Sequence, residues 1–159
     1  MLSTFPRLVV LVRHGNAMST EEDPTRPLSV IGRQQAERMA SWLADLDPEL
    51  DEIRHSGKAR AEQTAEIFAR RLGIPASRIR RAAGLSPHDS PDRVAAELEN
   101  HANRVMLVSH LPLIGRLASL LLTGDADMLD LRYANAGFAA LARVSEQWQL
   151  VALLSQEMI

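Results

Sequence analysis

The chain has 159 residues, of which 46% are hydrophobic and 24% are charged, and its formal net charge is −2. This balance is typical of a folded protein with a substantial core, and we expect a single domain over residues 1–159. The absence of cysteine excludes disulfides, a thiolate nucleophile and a cysteine zinc site. The slightly acidic charge argues against a general nucleic-acid binder. The N-terminal residues lack a signal-peptide pattern and no apolar run approaches the ~18 residues of a membrane span, so we expect a cytoplasmic protein without a membrane partner.

The first predicted element is a strand near residues 8–13, whose apolar run is followed at once by Arg13, His14 and Gly15. A continuous apolar run is typical of a parallel strand covered on both faces, and ligands of such sheets bind beyond the carboxyl ends of the strands. Arginine can hold a phosphoryl group through its planar fork, imidazole can attack phosphorus, and glycine allows a close backbone approach. A hydrogen-bonded strand end is the alternative interpretation of these three residues.

A polar loop over residues 18–27 precedes the first predicted helix, for which Ser29 is an acceptable N-cap. The step from Asp47 to Pro48 is expected to end this helix. The spacing predicts that five apolar side chains face inward: Ile31, Ala36, Met39, Leu43 and Leu46.

The next predicted strand lies near Glu52–His55, and a helix carrying Arg60 in its opening turn follows it. Its inward side chains are Ala61, Ala65, Phe68 and Leu72, and Gly73 and Pro75 close it. The helix macrodipole disfavours a cation at this end, so the position of Arg60 makes sense if an anion binds there.

After a connector over residues 79–87, Ser90 and Pro91 are expected to open a third helix. Its predicted buried residues are Val94, Leu98 and Ala102. A fourth helix is expected after Pro112, with Leu113, Ile114, Leu117, Leu120 and Leu121 at helical spacing. Between them lies a short strand over residues 105–108, so His110 also follows a strand and precedes a helix N-terminus. The alternative interpretation is that His110 has only a structural role, as a capping residue at the edge of the sheet.

Two apolar segments over residues 137–144 and 148–154, joined by residues 145–147, predict a closing hairpin. Strands that alternate with helices favour a parallel sheet that is covered on both faces. The expected fold is therefore a three-layer α/β architecture, with a mostly parallel central sheet, helices on both faces and a C-terminal antiparallel hairpin.

In their order and spacing, five segments resemble the histidine phosphatase superfamily, and within it the small bacterial SixA-type phosphohistidine phosphatases. The segments are Arg13-His14-Gly15, Arg26-Pro27-Leu28-Ser29 with Gly32, Arg60-Ala61-Glu62-Gln63-Thr64, Leu85-Ser86-Pro87 and Ser109-His110-Leu111-Pro112-Leu113. The resemblance implies that His14 is the nucleophile. It also implies that Arg13, Arg60 and His110 complete a phosphate pocket.

The chemistry of phosphoryl transfer is consistent with this set of residues, because it depends mainly on positioning and charge stabilisation. Guanidinium groups supply the positive charge, so neither a metal nor another cofactor is expected. His14 must be unprotonated at the attacking nitrogen, and a backbone carbonyl bound to the other nitrogen is the usual means. Asn16 is a candidate phosphate ligand or loop former, and Arg26 is either a pocket residue or a solvated one.

The connector before the third helix lacks the glutamate that protonates the leaving group in many members of the superfamily. Asp89 and His88 are the possible substitutes, with turn and cap roles as the favoured alternative. Imidazole leaves far more readily than an alkoxide, because its conjugate acid has a pKa of ~6.5. The expected substrate is therefore protein phosphohistidine, on a histidine-containing phosphotransfer domain or a phosphotransferase-system protein. A small-molecule phosphomonoesterase and a non-catalytic phosphate-binding or scaffolding protein are the alternatives.

Overall fold

A six-stranded sheet forms the middle layer of the protein, for which the computed structural model describes residues 1–156. The strands are β1 (Leu8–Arg13), β2 (Glu52–His55), β3 (Ile79–Arg81), β4 (Arg104–Ser109), β5 (Phe138–Val144) and β6 (Gln147–Leu154). Their order across the sheet is β3-β2-β4-β1-β5-β6. The first four strands in this order are parallel, whereas β5 is antiparallel to both β1 and β6. The predicted fold class is thereby confirmed.

Within the described part of the chain, four α-helices cover the two faces of the sheet in pairs. They are α1 (Val30–Asp45), α2 (Ala59–Leu72), α3 (Asp92–Asn100) and α4 (Leu113–Thr123). Side chains of β1 alternate between two hydrophobic clusters: Val10 packs in the cluster of α1 and α2, and Leu11 packs in that of α3 and α4. This burial on both faces explains why β1 is a continuous apolar run. Within residues 1–156, no helix has the length and apolarity that crossing a bilayer requires.

The helix ends follow from local sequence chemistry. Ser29 caps α1, since its hydroxyl accepts a hydrogen bond from the Gly32 N–H at 3.0 Å. Gly73 ends α2 in the left-handed conformation with a φ of 71°, which glycine adopts at little cost. Both boundaries match the prediction, because capping depends on residues within one turn of each other.

Tertiary packing overturns two of the predicted core positions. Ile31 is 60% exposed, because α1 packs against the core through Ala36, Met39 and Leu43, and Ile31 lies outside this buried face. Ala102 lies beyond the last residue of α3 and is exposed.

The connector and the hairpin also differ in detail from the prediction. The connector contains β3, whose three residues pair with β2 although two of them are exposed arginines. Strand pairing, not an apolar pattern, defines this edge strand. The hairpin turns through Ser145 and Glu146, both with positive φ (50° and 66°), so β6 begins one residue earlier than predicted.

Candidate active site

The two histidines singled out in the sequence follow neighbouring parallel strands. β1 pairs with β4 so that Arg13 lies opposite Ser109, and the His14 N–H donates to the Ser109 carbonyl at 3.0 Å. The centroids of the His14 and His110 rings are 4.9 Å apart, with an angle of 54° between the ring planes. Both imidazoles therefore lie side by side at the carboxyl edge of the sheet.

The His14 ring is held with one nitrogen free for chemistry. Its Nδ1 lies 2.7 Å from the Gly15 carbonyl oxygen, which can accept but not donate a hydrogen bond. Nδ1 therefore carries the hydrogen, and Nε2 has an unprotonated lone pair. Burial and the nearby charges of Arg60 and Arg13 outweigh this hydrogen bond and lower the pKa of His14 to about 4. The ring is neutral at pH 7, as a nucleophile must be.

Two arginines reach the same place from different elements. Arg60 lies in the first turn of α2, and burial followed by the charge of Arg26 lowers its pKa. Arg13 extends from the end of β1, and its Nη1 donates to the Tyr133 carbonyl at 3.0 Å. The buried Tyr133 hydroxyl in turn donates to the Leu11 carbonyl at 2.9 Å, which ties the segment to β1. Both guanidinium charges act on the His14 ring.

His110 is almost fully enclosed, with 2% of its surface exposed. Burial, then the His14 ring and the charges of Arg60 and Lys58, lower its pKa to about 3. The sequence predicts that His110 donates to phosphate if its imidazole is protonated. In this structure the ring is neutral at pH 7, so it can offer one N–H.

The other two candidate ligands have different surroundings. The Asn16 side-chain amide donates to the Ser29 hydroxyl at 2.7 Å, which fastens the loop after β1 to the start of α1. This contact favours the loop-forming interpretation of Asn16. Arg26 donates from Nε to the Met18 carbonyl at 3.1 Å, and its charge lowers the pKa of His14 and of other pocket groups. This electrostatic influence favours the interpretation of Arg26 as a pocket residue over that of a solvated one.

Two residues of the matching segments hold the His14 loop in place, a role that the sequence does not indicate. Thr64 is fully buried, and its hydroxyl accepts from the Gly15 N–H at 3.0 Å while donating to the Arg60 carbonyl at 2.7 Å. Gly32 lies so close to the loop that a Cβ there would be 1.9 Å from the Asn16 carbonyl oxygen. The available signal was that Thr64 is a polar residue on the buried face of α2.

The connector shows how the two candidate acids are placed. The Asp89 carboxylate accepts the Ser86 N–H at 2.9 Å within a turn, and His88 is exposed. Asp89 nevertheless lines a cleft of about 590 Å³ together with Ser86, Ser56 and Arg81. The turn contact agrees with the favoured structural role of Asp89.

An α/β sheet that brings two neutral histidines and several arginines to its carboxyl edge supplies the nucleophile and the positive charge of an enzyme that transfers phosphoryl groups. Residues 9–86 match the family described as histidine phosphatase superfamily (branch 1). Over 122 residues the chain is 34% identical to phosphohistidine phosphatase SixA of Escherichia coli strain K12, covering 74% of this chain and 75% of that protein. The chain belongs to the histidine phosphatase superfamily.

Solved structures agree with this assignment. SixA in complex with tungstate superposes with a TM-score of 0.82 and 28% identity, over 93% of this chain and 96% of that one. A SixA homologue from Agrobacterium tumefaciens, itself described as a putative phosphohistidine phosphatase, has a TM-score of 0.77 and 25% identity, over 95% and 99% of the two chains. The protein is a phosphatase of this superfamily that is similar to SixA, which confirms the resemblance noted in the sequence.

Proposed function

We propose that this phosphatase, a single-domain enzyme, removes phosphoryl groups from protein phosphohistidine through a covalent intermediate at His14. The observation that carries the proposal is the contact between His14 Nδ1 and the Gly15 carbonyl. It leaves an unprotonated Nε2 beside guanidinium groups, which is the arrangement that attack on phosphorus requires.

In the first step the Nε2 lone pair of His14 forms a bond to phosphorus while the bond from phosphorus to the substrate nitrogen breaks. The substrate imidazole, protonated at its other ring nitrogen, takes the electron pair of that bond and leaves as a neutral ring. Arg13, Arg60 and the His110 N–H stabilise the charge on the phosphoryl oxygens. Arg26 is positioned to add a further cation.

In the second step water attacks the phosphorus of phosphohistidine 14. The new oxygen–phosphorus bond replaces the bond to Nε2, the proton of water passes to solvent, and inorganic phosphate leaves. The arginine cations provide the charge stabilisation that Mg²⁺ provides in other phosphoryl-transfer enzymes, so we expect turnover without a metal.

The connector supports a substrate with a good leaving group. The Asp89 carboxylate accepts a backbone N–H and therefore serves as an acceptor within its turn. An alkoxide leaves poorly without a proton, whereas neutral imidazole needs little assistance because its conjugate acid has a pKa of ~6.5. Similarity to SixA, named as a phosphohistidine phosphatase, also supports this substrate class. A histidine-containing phosphotransfer domain or a phosphotransferase-system protein would supply it.

A small-molecule phosphomonoesterase is the second candidate. It is favoured by the position of Asp89 on the cleft that also includes Ser56. If the Asp89 side chain leaves its turn contact and binds a proton, its carboxylic acid form can protonate the alkoxide of a bound ester.

Leaving-group dependence separates the two candidates. We expect kcat/KM to be highest for a phosphorylated phosphotransfer domain or a phosphohistidine peptide, low for an aryl phosphate and lowest for phosphoserine and sugar phosphates. Asp89→Ala should change this order little, and activity should survive EDTA. A flat dependence on leaving-group pKa that becomes steep in Asp89→Ala would establish the phosphomonoesterase.

The intermediate is tested by rapid quenching with a ³²P-labelled substrate. We expect acid-labile label on the wild-type protein and none on His14→Ala, which should lose nearly all activity. Label that persists on His14→Ala would refute the nucleophile assignment.

A further inference from the structure

The side chain of Ser56 contacts the second histidine of the pocket. Its Oγ lies 2.7 Å from His110 Nε2, and both residues are buried, with exposures of 8% and 2%. The contact spans 54 positions in the chain and is created by the pairing of β2 with β4, which places His55 opposite Val108. Ser56 is thus held at the strand end next to His110.

The two ring nitrogens of His110 have different surroundings. Nε2 faces the Ser56 hydroxyl, while Nδ1 is buried and has no hydrogen-bond partner among residues 1–156. A neutral imidazole has one N–H, so its hydrogen lies on one of these two nitrogens. The tautomer therefore decides whether Nδ1, which has no partner among residues 1–156, donates a hydrogen bond or presents a lone pair.

A phosphoryl group beside His14 and Arg60 presents oxygens that accept hydrogen bonds. A lone pair on His110 Nδ1 would repel these oxygens, whereas an N–H would bind them. With the hydrogen on Nδ1, the ring accepts at Nε2, and the Ser56 hydroxyl must donate to it. The Lys58 N–H donates to Ser56 Oγ at 3.4 Å, and among residues 1–156 His110 Nε2 is the one acceptor in contact with the Ser56 hydroxyl.

We propose that Ser56 is a positioning residue that holds His110 in the tautomer with Nδ1 protonated, so that a neutral imidazole donates to the phosphoryl group. The proposal rests on the proposed function, in which His110 binds that group. The low pKa of His110 is consistent with it, since a ring that stays neutral depends on its tautomer to be a donor. Arg13 and Arg60 provide charge, and Ser56 determines the direction of the third donor.

The tautomer is measured directly by ¹⁵N NMR of histidine-labelled protein at pH 7, because protonated and unprotonated ring nitrogens have well-separated shifts. We expect wild type to show a protonated Nδ1 and an unprotonated Nε2 at His110. Ser56→Ala should populate the other tautomer, and Ser56→Thr should restore the first, since the added methyl can project into the adjoining cleft. A wild-type His110 with its hydrogen on Nε2 would overturn the proposal.

Ser119→Ala is the matched control for loss of a buried serine hydroxyl. Ser119 is fully buried, and its Oγ donates to the Asp125 carbonyl at 2.6 Å and accepts from the Leu129 N–H at 2.9 Å. This variant should lose stability without altering the His110 tautomer. A tautomer change in Ser119→Ala as large as that in Ser56→Ala would show a general packing effect and overturn the assignment.

Kinetics test whether the tautomer matters for turnover. Ser56→Ala should lower kcat about tenfold with little change in KM, a smaller loss than the ~10²-fold expected when a donor is removed outright. In a His110→Asn background the amide nitrogen takes the place of Nδ1 as a donor that needs no Ser56. There, Ser56→Ala should have no further effect on kcat. An equal loss in both backgrounds would overturn the proposal.

These measurements distinguish failure of this inference from failure of the proposed function. Acid-labile label that persists on His14→Ala would refute the covalent intermediate at His14. The His110 tautomer of the substrate-free protein would still show whether Ser56 positions that ring. An unchanged kcat in Ser56→Ala, with the intermediate present, would refute the role of Ser56 alone.

Discussion

The Thr64 hydroxyl connects the loop that contains His14 to the helix that carries Arg60. Removal of this hydroxyl is therefore a direct test of how the site is held together. Thr64→Val keeps the shape of the side chain and removes its two hydrogen bonds, at 3.0 Å to the Gly15 N–H and 2.7 Å to the Arg60 carbonyl. The Arg60 carbonyl can keep its helical bond within α2. The Gly15 N–H is buried and loses the hydroxyl that accepts its hydrogen bond.

A buried donor without a partner costs about 1–3 kcal/mol, so we expect Thr64→Val to lower the free energy of unfolding by about 2 kcal/mol. The effect on catalysis should exceed what this loss of stability explains. Gly15 supplies the carbonyl that orients His14, and a displacement of about 1 Å in a reacting group can reduce turnover ~10²-fold. We therefore expect kcat/KM to fall at least tenfold while the protein remains folded.

Thr64→Ser is the matched control, because it keeps the hydroxyl and loses one buried methyl group, at a cost of about 1 kcal/mol. Urea unfolding gives the stability of both variants, and kcat/KM is measured where each is fully folded. We expect Thr64→Ser to retain nearly full activity. A Thr64→Val protein with wild-type stability and wild-type kcat/KM would refute the idea that this hydroxyl positions His14.

Three further predictions follow from burial, charge and close packing. The folded-state pKa values of His14 and His110, about 4 and about 3, lie below the unfolded value of 6.5. The contribution of the two histidines to the free energy of unfolding should therefore be fully present above pH 6.5. It should fall as the pH is lowered towards 4, by on the order of 1–2 kcal/mol per histidine at pH 5. Urea unfolding that shows no such fall, or an equal fall in His110→Asn, would contradict this prediction. Gly32→Ala should lower the free energy of unfolding by ~3 kcal/mol or more, because its Cβ would lie 1.9 Å from a backbone oxygen. Gly73→Ala, whose Cβ would have nothing within 4 Å, should lower it only by the ~1 kcal/mol of left-handed backbone strain. Equal Tm values for the two variants would refute the packing argument. Arg26→Gln should raise the pKa of His14, moving the acid limb of kcat/KM to higher pH, and an unmoved limb would place Arg26 outside the pocket.

Much of the fold could be predicted because its signals are local. The apolar run of β1 and the helical spacing of α2 are visible in short windows of sequence, and Ser29 and Gly73 cap helices through contacts within one turn. Ile31 was placed wrongly because several faces of a short apolar pattern can be buried, and packing against the sheet selects one of them. β3 was missed because its three residues carry no apolar alternation.

The candidate site residues are also visible in the sequence, since each follows a strand or opens a helix at the edge where α/β sheets bind ligands. Their spatial arrangement was not visible. That β1 lies between β4 and β5, and that β2 pairs with β4, depends on contacts between segments far apart in the chain.

The sequence by itself therefore determined the architecture, the family and the candidate residues for phosphate chemistry. Tertiary structure alone decided the state of those residues: which nitrogen of His14 is free, how far burial lowers its pKa, and which hydroxyls, of Thr64 and Ser56, orient the two imidazoles. The physical reason is that protonation and hydrogen bonding depend on the groups within a few ångströms. In this protein, strand pairing brings those groups together from segments about 50 positions apart in the chain.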